Sequence, residues 1–340
     1  MKVASDTWFI PVAQATGERG GYTPDQLDRA LRTWATSPPL RTLAAASRWD
    51  WPADETTTLG LLQRLAALSA DWDFRKNRER NLIEPLPAVV NGKQLSDSLV
   101  IDAARALGLV RPIPVTGREF SYLVVLSGQA WACVSRTRYA AELLRGGLRA
   151  GAVIVLGAHR ELDDEESEQA EEAGLGYLDD EAEVILAATR QAFRLGPPLS
   201  AEEPNSAPDP EQPSEFNAAC ARYRWPSVEL VIAPSDTPAV RRAKTGDQLQ
   251  YWADLAGLNQ QHDVLIVSTQ INVPYQHLVA ARILGLGHGC AVYSCGADAG
   301  GPPISVRRLG GRDYLQEIRA ALRAGLRLLG QAHGTPIEPS

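Results

Sequence analysis

Short runs of mostly apolar residues alternate with helical patterns from residue 118 onward. An apolar run such as Tyr-Leu-Val-Val-Leu at 122–126 is typical of a strand that is buried on both faces. The chain carries four further runs of this kind, at 152–156, 228–233, 264–267 and 290–294. Strands and helices that alternate at this spacing form right-handed βαβ units. The pattern therefore predicts an α/β fold with a three-layer, Rossmann-like parallel sheet of about five strands.

The first part of the chain has no such alternation and is predicted to be mainly helical. Thr23, Pro24 and Gln26 have the order of an N-cap, a first helical residue and a capping-box partner. Five of the eight tryptophans lie in this part, at positions 8, 34, 49, 51 and 72. They favour either core packing or a lid over the ligand edge of the sheet.

A stretch with two prolines and a glycine at 111–117 marks the expected boundary between two parts of the chain. We expect a helical N-terminal region at 1–115 and a Rossmann-like α/β domain at 116–335. Residues 196–214 are rich in proline, serine and acidic residues, and we interpret them as a flexible insertion in that domain.

The bulk composition is that of a globular protein, with 44% hydrophobic and 22% charged residues. A net charge of −7 argues against a general affinity for nucleic acid or for an anionic membrane. No apolar run approaches 18 residues and no signal sequence is visible, so we expect a cytoplasmic protein. The four cysteines lack the spacing of metal ligands and are interpreted as reduced, mostly buried thiols, so we expect no metal site. Arginine far outnumbers lysine, which is typical of a GC-rich bacterial genome.

Parallel sheets of this class bind ligands beyond the carboxyl ends of their strands. The turn Ser127-Gly128-Gln129 directly follows the first predicted strand. Gly128 permits a positive φ and a close approach of a ligand to the backbone. The turn is neither Gly-x-Gly-x-x-Gly nor a Walker loop, so an ordinary NAD or ATP site is disfavoured. The alternative is a tight turn without a ligand.

A second candidate site follows the third strand, where three cations at 241–244 precede a helix predicted at 245–256. We interpret Thr245 as the N-cap and Gln248 as its capping-box partner. Lys244 and the free helix N–H groups would then form an anion site, with Asp247 beside them. The alternative is a capped helix with a solvated basic approach. A basic stretch at 73–81 likewise either reaches a phosphate or carboxylate, or is a loop with local ion pairs.

The remaining candidates are polar residues at the ends of other strands. The fourth strand is followed by Ser268, Thr269, Asn272, Tyr275 and His277. His277 is either a catalytic or a structural helix histidine.

The second predicted strand is followed by a polar pair, His159 and Arg160. A general base at His159 would suit this position. The alternative is that His159 and Arg160 belong to a solvated turn.

Residues 120–300 resemble the YdcF/SanA/ElyC family, a bacterial group of unknown function with a Rossmann-like fold. The matching pieces are Val-Val-Leu-Ser-Gly at 124–128, the helix from Arg138 to 146, the strand end at 153–157, Lys-Thr-Gly-Asp-Gln at 244–248, and Val-Ser-Thr at 267–269 with a later proline. The resemblance implies a polar site at the strand ends that includes Arg138. Some members of that family are thought to bind S-adenosylmethionine, and others are linked to envelope processes.

This chain departs from the family pattern at two places. The family's His-x-x-Arg after the fourth strand is Asn-Val-Pro-Tyr at 272–275, and its Asn-Thr-x-Glu-Asn is Lys-Thr-Gly-Asp-Gln at 244–248. The departures imply either a new substrate or a lost activity.

These features together predict a cytoplasmic bacterial enzyme of a specialised biosynthetic pathway. It would bind a nucleotide-like or phosphorylated small molecule, with S-adenosylmethionine as one candidate, and act by group transfer or hydrolysis. The expected ligand contacts are Ser127, Gly128, Gln129, Arg138, Lys244, Thr245, Gln248, Ser268, Thr269 and Asn272. The expected catalytic residues are His159, Asp247, Tyr275 and His277.

The alternative is a non-catalytic binding or scaffold protein that retains the fold without the chemistry. The N-terminal region would then present a surface to a protein partner or to a second copy of the chain.

Overall fold

A computed structural model describes residues 22–75, 86–112, 115, 118–204, 209–298, 309–335 and 337. The strands are β1 Val89–Val90, β2 Lys93–Gln94, β3 Glu119–Leu126, β4 Arg149–Gly157, β5 Ser200–Glu202, β6 Ala221–Arg224, β7 Val228–Ile232, β8 Asp263–Thr269 and β9 Ala291–Ala297. The α-helices are α1 Pro24–Ala35, α2 Pro38–Ala46, α3 Thr58–Leu68, α4 Asp97–Ala106, α5 Ala130–Arg145, α6 Asp164–Glu172, α7 Glu181–Phe193, α8 Pro213–Ala218, α9 Thr245–Ala256, α10 Val273–Ala280 and α11 Gly311–Ala332.

The main sheet has seven strands in the order β5-β6-β7-β4-β3-β8-β9. The five strands from β7 to β9 are parallel, and they coincide with the five predicted apolar runs. The expectation of a purely parallel sheet is wrong, because β5 and β6 add an antiparallel edge. β6 has the sequence Ala-Arg-Tyr-Arg, and all three residues of β5 are exposed, so neither carries the apolar pattern of a central strand.

The strand order reverses once within the parallel part of the sheet. From β3 the chain proceeds to β4 and β7 on one side, and it then returns to place β8 and β9 on the other side. The reversal lies between β3 and β8, whose carboxyl ends are adjacent. A crevice at such a reversal is the usual ligand position in open α/β sheets.

Helices cover both faces of this sheet, because successive strand residues point to opposite faces. Val125 and Val155 belong to the core beneath α5, α6 and α7, whereas Val124 and Ile154 belong to the core beneath α9 and α10. A π-helical segment, Ala281–Gly287, continues α10 on the second face. The α/β architecture and the helical N-terminal region are therefore confirmed.

The N-terminal helices share a core with α11, at the other end of the chain. Leu31 and Leu62 lie in one buried cluster with Leu322 and Leu329 of α11, and α11 packs in turn on α10. The predicted capping box of α1 is present, since the Gln26 N–H bonds to the Thr23 hydroxyl and the Thr23 N–H bonds to the Gln26 side chain. Two domains at 1–115 and 116–335 remain a prediction.

The tryptophans of the N-terminal part lie mainly in this core. Trp34 and Trp72 are fully buried, and Trp49 stacks on Trp72 with ring centroids 4.2 Å apart. Trp51 is half-buried under Arg41, and Trp8 lies outside the described residues. These contacts are those of core packing.

Two further sequence features have only partial structural counterparts. Of the insertion predicted at 196–214, the described part supplies β5 and the start of α8, and 205–208 lie outside the described residues. Within the described ranges, none of the helices has both the length and the apolar character required to cross a bilayer.

Candidate functional site

Helix α5 begins at Ala130, directly after Gln129 as its N-cap residue. The turn Ser127-Gly128-Gln129 therefore connects β3 directly to the helix, and Arg136 lies in the second turn of α5. The side chain of Arg136 extends back toward the strand ends and is buried, with 3% of its surface exposed. This arginine lies between the carboxyl ends of β3 and β8, the position of the ligand crevice in open α/β sheets.

The guanidinium group of Arg136 joins the ends of the two strands. On the β3 side its Nη1 donates to the carbonyl oxygens of Leu126 at 3.1 Å and Ser127 at 2.6 Å. On the β8 side its Nε donates to Thr269 Oγ1 at 2.9 Å, and its Nη2 donates to Asn272 Oδ1 at 3.3 Å. Because a guanidinium group has five N–H donors, these four bonds leave one Nη2–H without a partner among the described residues.

The positive charge of Arg136 is not neutralised by a direct partner. No carboxylate in the described part of the chain forms a salt bridge with it, although Glu181 and Glu317 act on it at longer range. Burial lowers the pKa of the Arg136 guanidinium to about 10. A buried charge without a counter-ion is costly, and an anion in the crevice would relieve that cost.

Gly128 has a different role from the one expected. It is not among the described glycines with positive φ, so the turn does not use the left-handed conformation that glycine permits. A Cβ atom at this position would lie 3.3 Å from Arg136 Nη1 and 3.4 Å from the Ala132 methyl group. The absence of a side chain therefore leaves room for the guanidinium group. The neighbouring Gln129 side chain accepts a bond from Trp131 Nε1 at 2.9 Å.

A second group of charged side chains lies beside the β3 turn. Ser127 Oγ donates to Glu181 Oε1 at 2.6 Å and accepts from Gln248 Nε2 at 3.3 Å. Arg160 donates to Glu181 Oε2 through Nε, and to both carboxylate oxygens of Glu166 through Nη1 and Nη2, with all three distances at 2.6 Å. The two glutamate side chains are each 5% exposed. We call Ser127, Arg160, Glu166, Glu181 and Gln248 the Arg160 network.

This network also occupies the start of α5. The backbone N–H of Ala130, the first residue of the helix, donates to Glu166 Oε1 at 3.3 Å. The N-terminus of this helix is where doubly wound folds commonly hold a phosphate group. Here a carboxylate of the chain itself takes that position.

His159 is held in a defined orientation at the end of β4. Its Nδ1 lies 2.5 Å from Asp180 Oδ2, while Asp180 Oδ1 accepts the N–H groups of Arg160 and Ala182. The Nε2 atom of His159 is buried and has no hydrogen-bond partner within the described residues. A carboxylate on one nitrogen and a second nitrogen without a partner form the arrangement of a general acid or base. The ring lies 5.4 Å from that of Phe216.

The basic loop before α9 differs from the prediction in its cap. Lys244, not Thr245, is the N-cap residue, and Asp247 rather than Gln248 accepts its backbone N–H at 2.8 Å. Asp247 also forms a salt bridge with Arg241 at 2.5 Å. A carboxylate that caps the helix frees Gln248 to reach Ser127. Partial burial, followed by repulsion from Arg241, lowers the pKa of Lys244.

Several of the predicted residues lie apart from this site. His277 Nδ1 bonds to Ser294 Oγ of β9 at 2.8 Å, and Ser268 Oγ bonds to the side chain of Gln276. Tyr275 packs against the core of the N-terminal helices and α11, and burial raises its pKa. Arg138 lies on α5, half-buried and two residues beyond Arg136.

The structure thus brings Ser127, Thr269, Asn272 and Gln248 together around Arg136 and the Arg160 network. Sequence reasoning did not select Arg136, Arg160, Glu166 or Glu181. A signal for Arg136 exists, because positions 133, 136, 137 and 140 form one helical face that is otherwise small and uncharged. In the ranges that the structure covers, no group of three or more His, Cys, Asp or Glu side chains is arranged to hold a metal ion.

Comparison with known proteins finds similarity in the N-terminal part of the chain and, at low identity, over most of its length. Residues 18–108 match the family described as the Rv3785 N-terminal domain. The uncharacterized proteins Rv3785 of Mycobacterium tuberculosis and Mb3814 of Mycobacterium bovis are each 28% identical to this chain in an alignment of 243 residues that covers 68% of this chain. The chain spans 65% of the length of these curated relatives. No solved structure matches.

These matches correct the family assignment made from short motifs. The expected membership in the YdcF/SanA/ElyC family is wrong, because the similarity found over most of the chain is to Rv3785. The motif pieces at 124–128, 153–157 and 267–269 coincide with the ends of β3, β4 and β8. Apolar strands followed by small residues arise in any sheet of this class, so such pieces do not identify a family.

Proposed function

We propose that the chain binds an anionic small molecule, phosphorylated or nucleotide-like, in the crevice between β3 and β8. The observation that supports this proposal is the buried Arg136, which brings a positive charge without a direct counter-ion to the reversal in strand order. Its remaining Nη2–H lies on the side of Asn272. The phosphate or carboxylate group of the ligand would accept that bond.

The ligand would not occupy the usual phosphate position on the helix. Glu166 already accepts the first N–H of α5, so the anion is expected on the β8 side of the turn. Thr269 and Asn272 lie there, and Gln248 borders the site through Ser127. This placement predicts that the polar groups of the ligand form hydrogen bonds with side chains and not with the backbone of a glycine-rich loop.

We further propose that the chain acts on this ligand by group transfer or hydrolysis. His159 supports this step, because Asp180 fixes its ring and leaves Nε2 to accept a proton from a water or an acceptor hydroxyl. That proton would then pass to the leaving group. We place this activity in the bacterial cytoplasm, as the sequence leads us to expect.

A non-catalytic binding protein is the second candidate. It is favoured by the Arg160 network, in which Arg160 pairs with both buried glutamates and Arg242 lies 4.0 Å from Glu181, so that these charges are paired without a ligand. A scaffold would have the same fold, and His159 would have no catalytic role in it. The two candidates predict different behaviour when His159 is changed to Asn.

A thermal-shift panel tests the proposal, because ligands of the native state raise the melting temperature. The panel would contain nucleoside mono-, di- and triphosphates, nucleotide sugars, sugar phosphates, NAD and S-adenosylmethionine. We expect at least one phosphorylated class to raise the melting temperature of the native chain. Asn272→Ala and Gln248→Ala should each lose at least half of that shift. Gln250→Ala is the matched control, since Gln250 is exposed on the same helix as Gln248.

Two results would contradict the proposed site. One is the absence of a shift with every compound, and the other is a shift that both Asn272→Ala and Gln248→Ala retain. With a ligand identified, His159→Asn should abolish turnover of that ligand and leave its binding intact. Binding without turnover by the native chain would favour the scaffold.

A further inference from the structure

A cavity lies outside the sheet, between α3 and α11, with a volume of about 260 Å³. One wall is formed by Ala66 and Ala67 of α3 and by Ala70 of the 3-10 turn that follows. These side chains end at a methyl group, so the wall is apolar and leaves space in front of it. None of the residues that line this cavity belongs to a turn at the strand ends.

The opposite wall carries three arginines of α11. Arg319, Arg323 and Arg327 follow one another at intervals of four residues, so they lie on one face of the helix. Their Cα atoms are separated by about 6 Å for each step along the helix axis. Leu326 and Ile337 complete the lining, so among the described residues this cavity has three cations and no acid.

At Arg319 and Arg327 the positive charge of this wall is only partly compensated within the described residues. Asp73 pairs with Nη2 of Arg319 at 3.0 Å, but Nε of Arg319 is buried and has no hydrogen-bond partner among the described residues. Arg327 forms no salt bridge within the same ranges. Burial, with a contribution from Arg323, lowers the pKa values of Arg319 and Arg327. Arg282 adds to the repulsion on Arg327.

The stretch at 73–81, which the sequence marks as basic, begins beside this cavity. Its described residues make local ion pairs with α11, Asp73 with Arg319 and Arg75 with Glu317 at 2.6 Å. Residues 76–81 lie outside the described part. Because Glu317 pairs with Arg75, it does not offset the charge of the cavity wall.

We propose that the α3–α11 cavity binds a phosphate monoester that carries a compact apolar group. The arginines suit a dianionic phosphate, because guanidinium groups bind phosphate oxygens with paired N–H donors. The alanine wall and Leu326 suit the apolar group. An engineered apolar cavity of about 150 Å³ accommodates benzene, so about 260 Å³ holds a ring together with a phosphate group.

Isothermal titration calorimetry of the full chain with phenyl phosphate tests this proposal. Phenol and inorganic phosphate serve as the two halves of the probe. We expect phenyl phosphate to bind at least about tenfold more tightly than either half, because it alone makes both sets of contacts. Its dissociation constant should rise with salt concentration. No measurable binding of phenyl phosphate would overturn the proposal.

Variants on the two walls distinguish the contribution of the positive charges to phenyl phosphate binding from that of the open volume. Arg327→Gln and Arg323→Gln should each raise the dissociation constant by about tenfold or more, since each removes a charged hydrogen-bond donor. Ala67→Phe should also abolish binding, because the ring fills the space without a change of charge. Arg29→Gln is the control, since Arg29 is exposed on α1 and does not line the cavity. Equal binding by all four variants would overturn the proposal.

A last comparison distinguishes this cavity from the crevice at the strand ends. Gln248→Ala should leave phenyl phosphate binding unchanged. If Gln248→Ala abolished binding while Arg327→Gln retained it, the ligand would belong to the crevice and the proposal would be overturned.

Discussion

Replacing Arg160 with methionine tests whether the Arg160 network is as strongly coupled as its geometry indicates. Arg160 makes three charged hydrogen bonds of 2.6 Å, two to Glu166 and one to Glu181. Its side chain is 14% exposed, and those of the two glutamates are 5% exposed. Methionine retains most of the volume and removes all three bonds.

The expected loss is large because Glu166 loses its salt bridge with Arg160 and Glu181 keeps only Arg242, at 4.0 Å. Breaking a buried ion pair by removing one partner typically costs about 3–5 kcal/mol, mainly through the uncompensated charge that remains. A triple variant, in which Arg160→Met is combined with Glu166→Gln and Glu181→Gln, removes those charges as well. We expect it to recover more than half of the lost stability.

Urea unfolding at pH 7.5 with linear extrapolation measures these differences. Arg190→Met is the control, since Arg190 is exposed on α7 and such changes usually alter stability by less than about 0.5 kcal/mol. A loss below about 1 kcal/mol for Arg160→Met would refute the strength assigned to the network. A triple variant as unstable as Arg160→Met would refute the role assigned to the uncompensated carboxylates.

Two further substitutions test other parts of the fold. Burial, reinforced by Glu181, raises the pKa of the Cys133 thiol to about 12 from 9.0. Above pH 9 the thiol therefore loses its proton in the unfolded chain and keeps it in the folded chain. The free energy of unfolding should therefore fall as pH rises from about 9 to 12. In urea unfolding, Cys133→Ala should lessen that fall by about 1 kcal/mol between pH 9 and 10. An unchanged dependence of the free energy on pH would contradict the burial effect. Gly296→Ala should cost about 1–3 kcal/mol, because the added Cβ would lie 2.5 Å from the Cα atom of Gln270. Gly246→Ala, with its nearest neighbour at 3.5 Å, is the control for the same unfolding assay, and equal losses would contradict the steric argument.

The parts of the fold that the sequence predicts are those with a strong local signal. The apolar runs at the five parallel strands and the capping box of Thr23 both act through neighbouring residues. β5 and β6 were missed because neither carries an apolar run: β5 is the exposed edge strand, and three of the four residues of β6 are only partly buried. The contact of α11 with the N-terminal helices was not predicted either, since it joins residues about 250–300 positions apart and leaves no local pattern.

In the candidate site too, contacts between residues that are distant in the sequence could not be predicted from local patterns. Residues in the strand-end turns, such as Ser127 and Thr269, were found because the sheet topology selects their positions. Arg136 and Glu181 lie on helices, and their long side chains bond to residues that are distant in the sequence, Thr269 and Ser127. Glu166 lies in an acidic helix that has the composition of a solvated face, yet its carboxylate is buried against Arg160. Such pairs become visible only once the helices are placed.

Hydrogen exchange with mass spectrometry tests the central claim, that the crevice between β3 and β8 is the ligand site. The chain would be measured with and without the phosphorylated compound that gives the largest thermal shift. We predict that the compound slows exchange at the backbone amides of 127–131 and 269–273, which flank Arg136, and that Asn272→Ala removes this protection. Protection confined to α3 and α11, or unchanged exchange in both strand-end segments at saturating ligand, would contradict the claim.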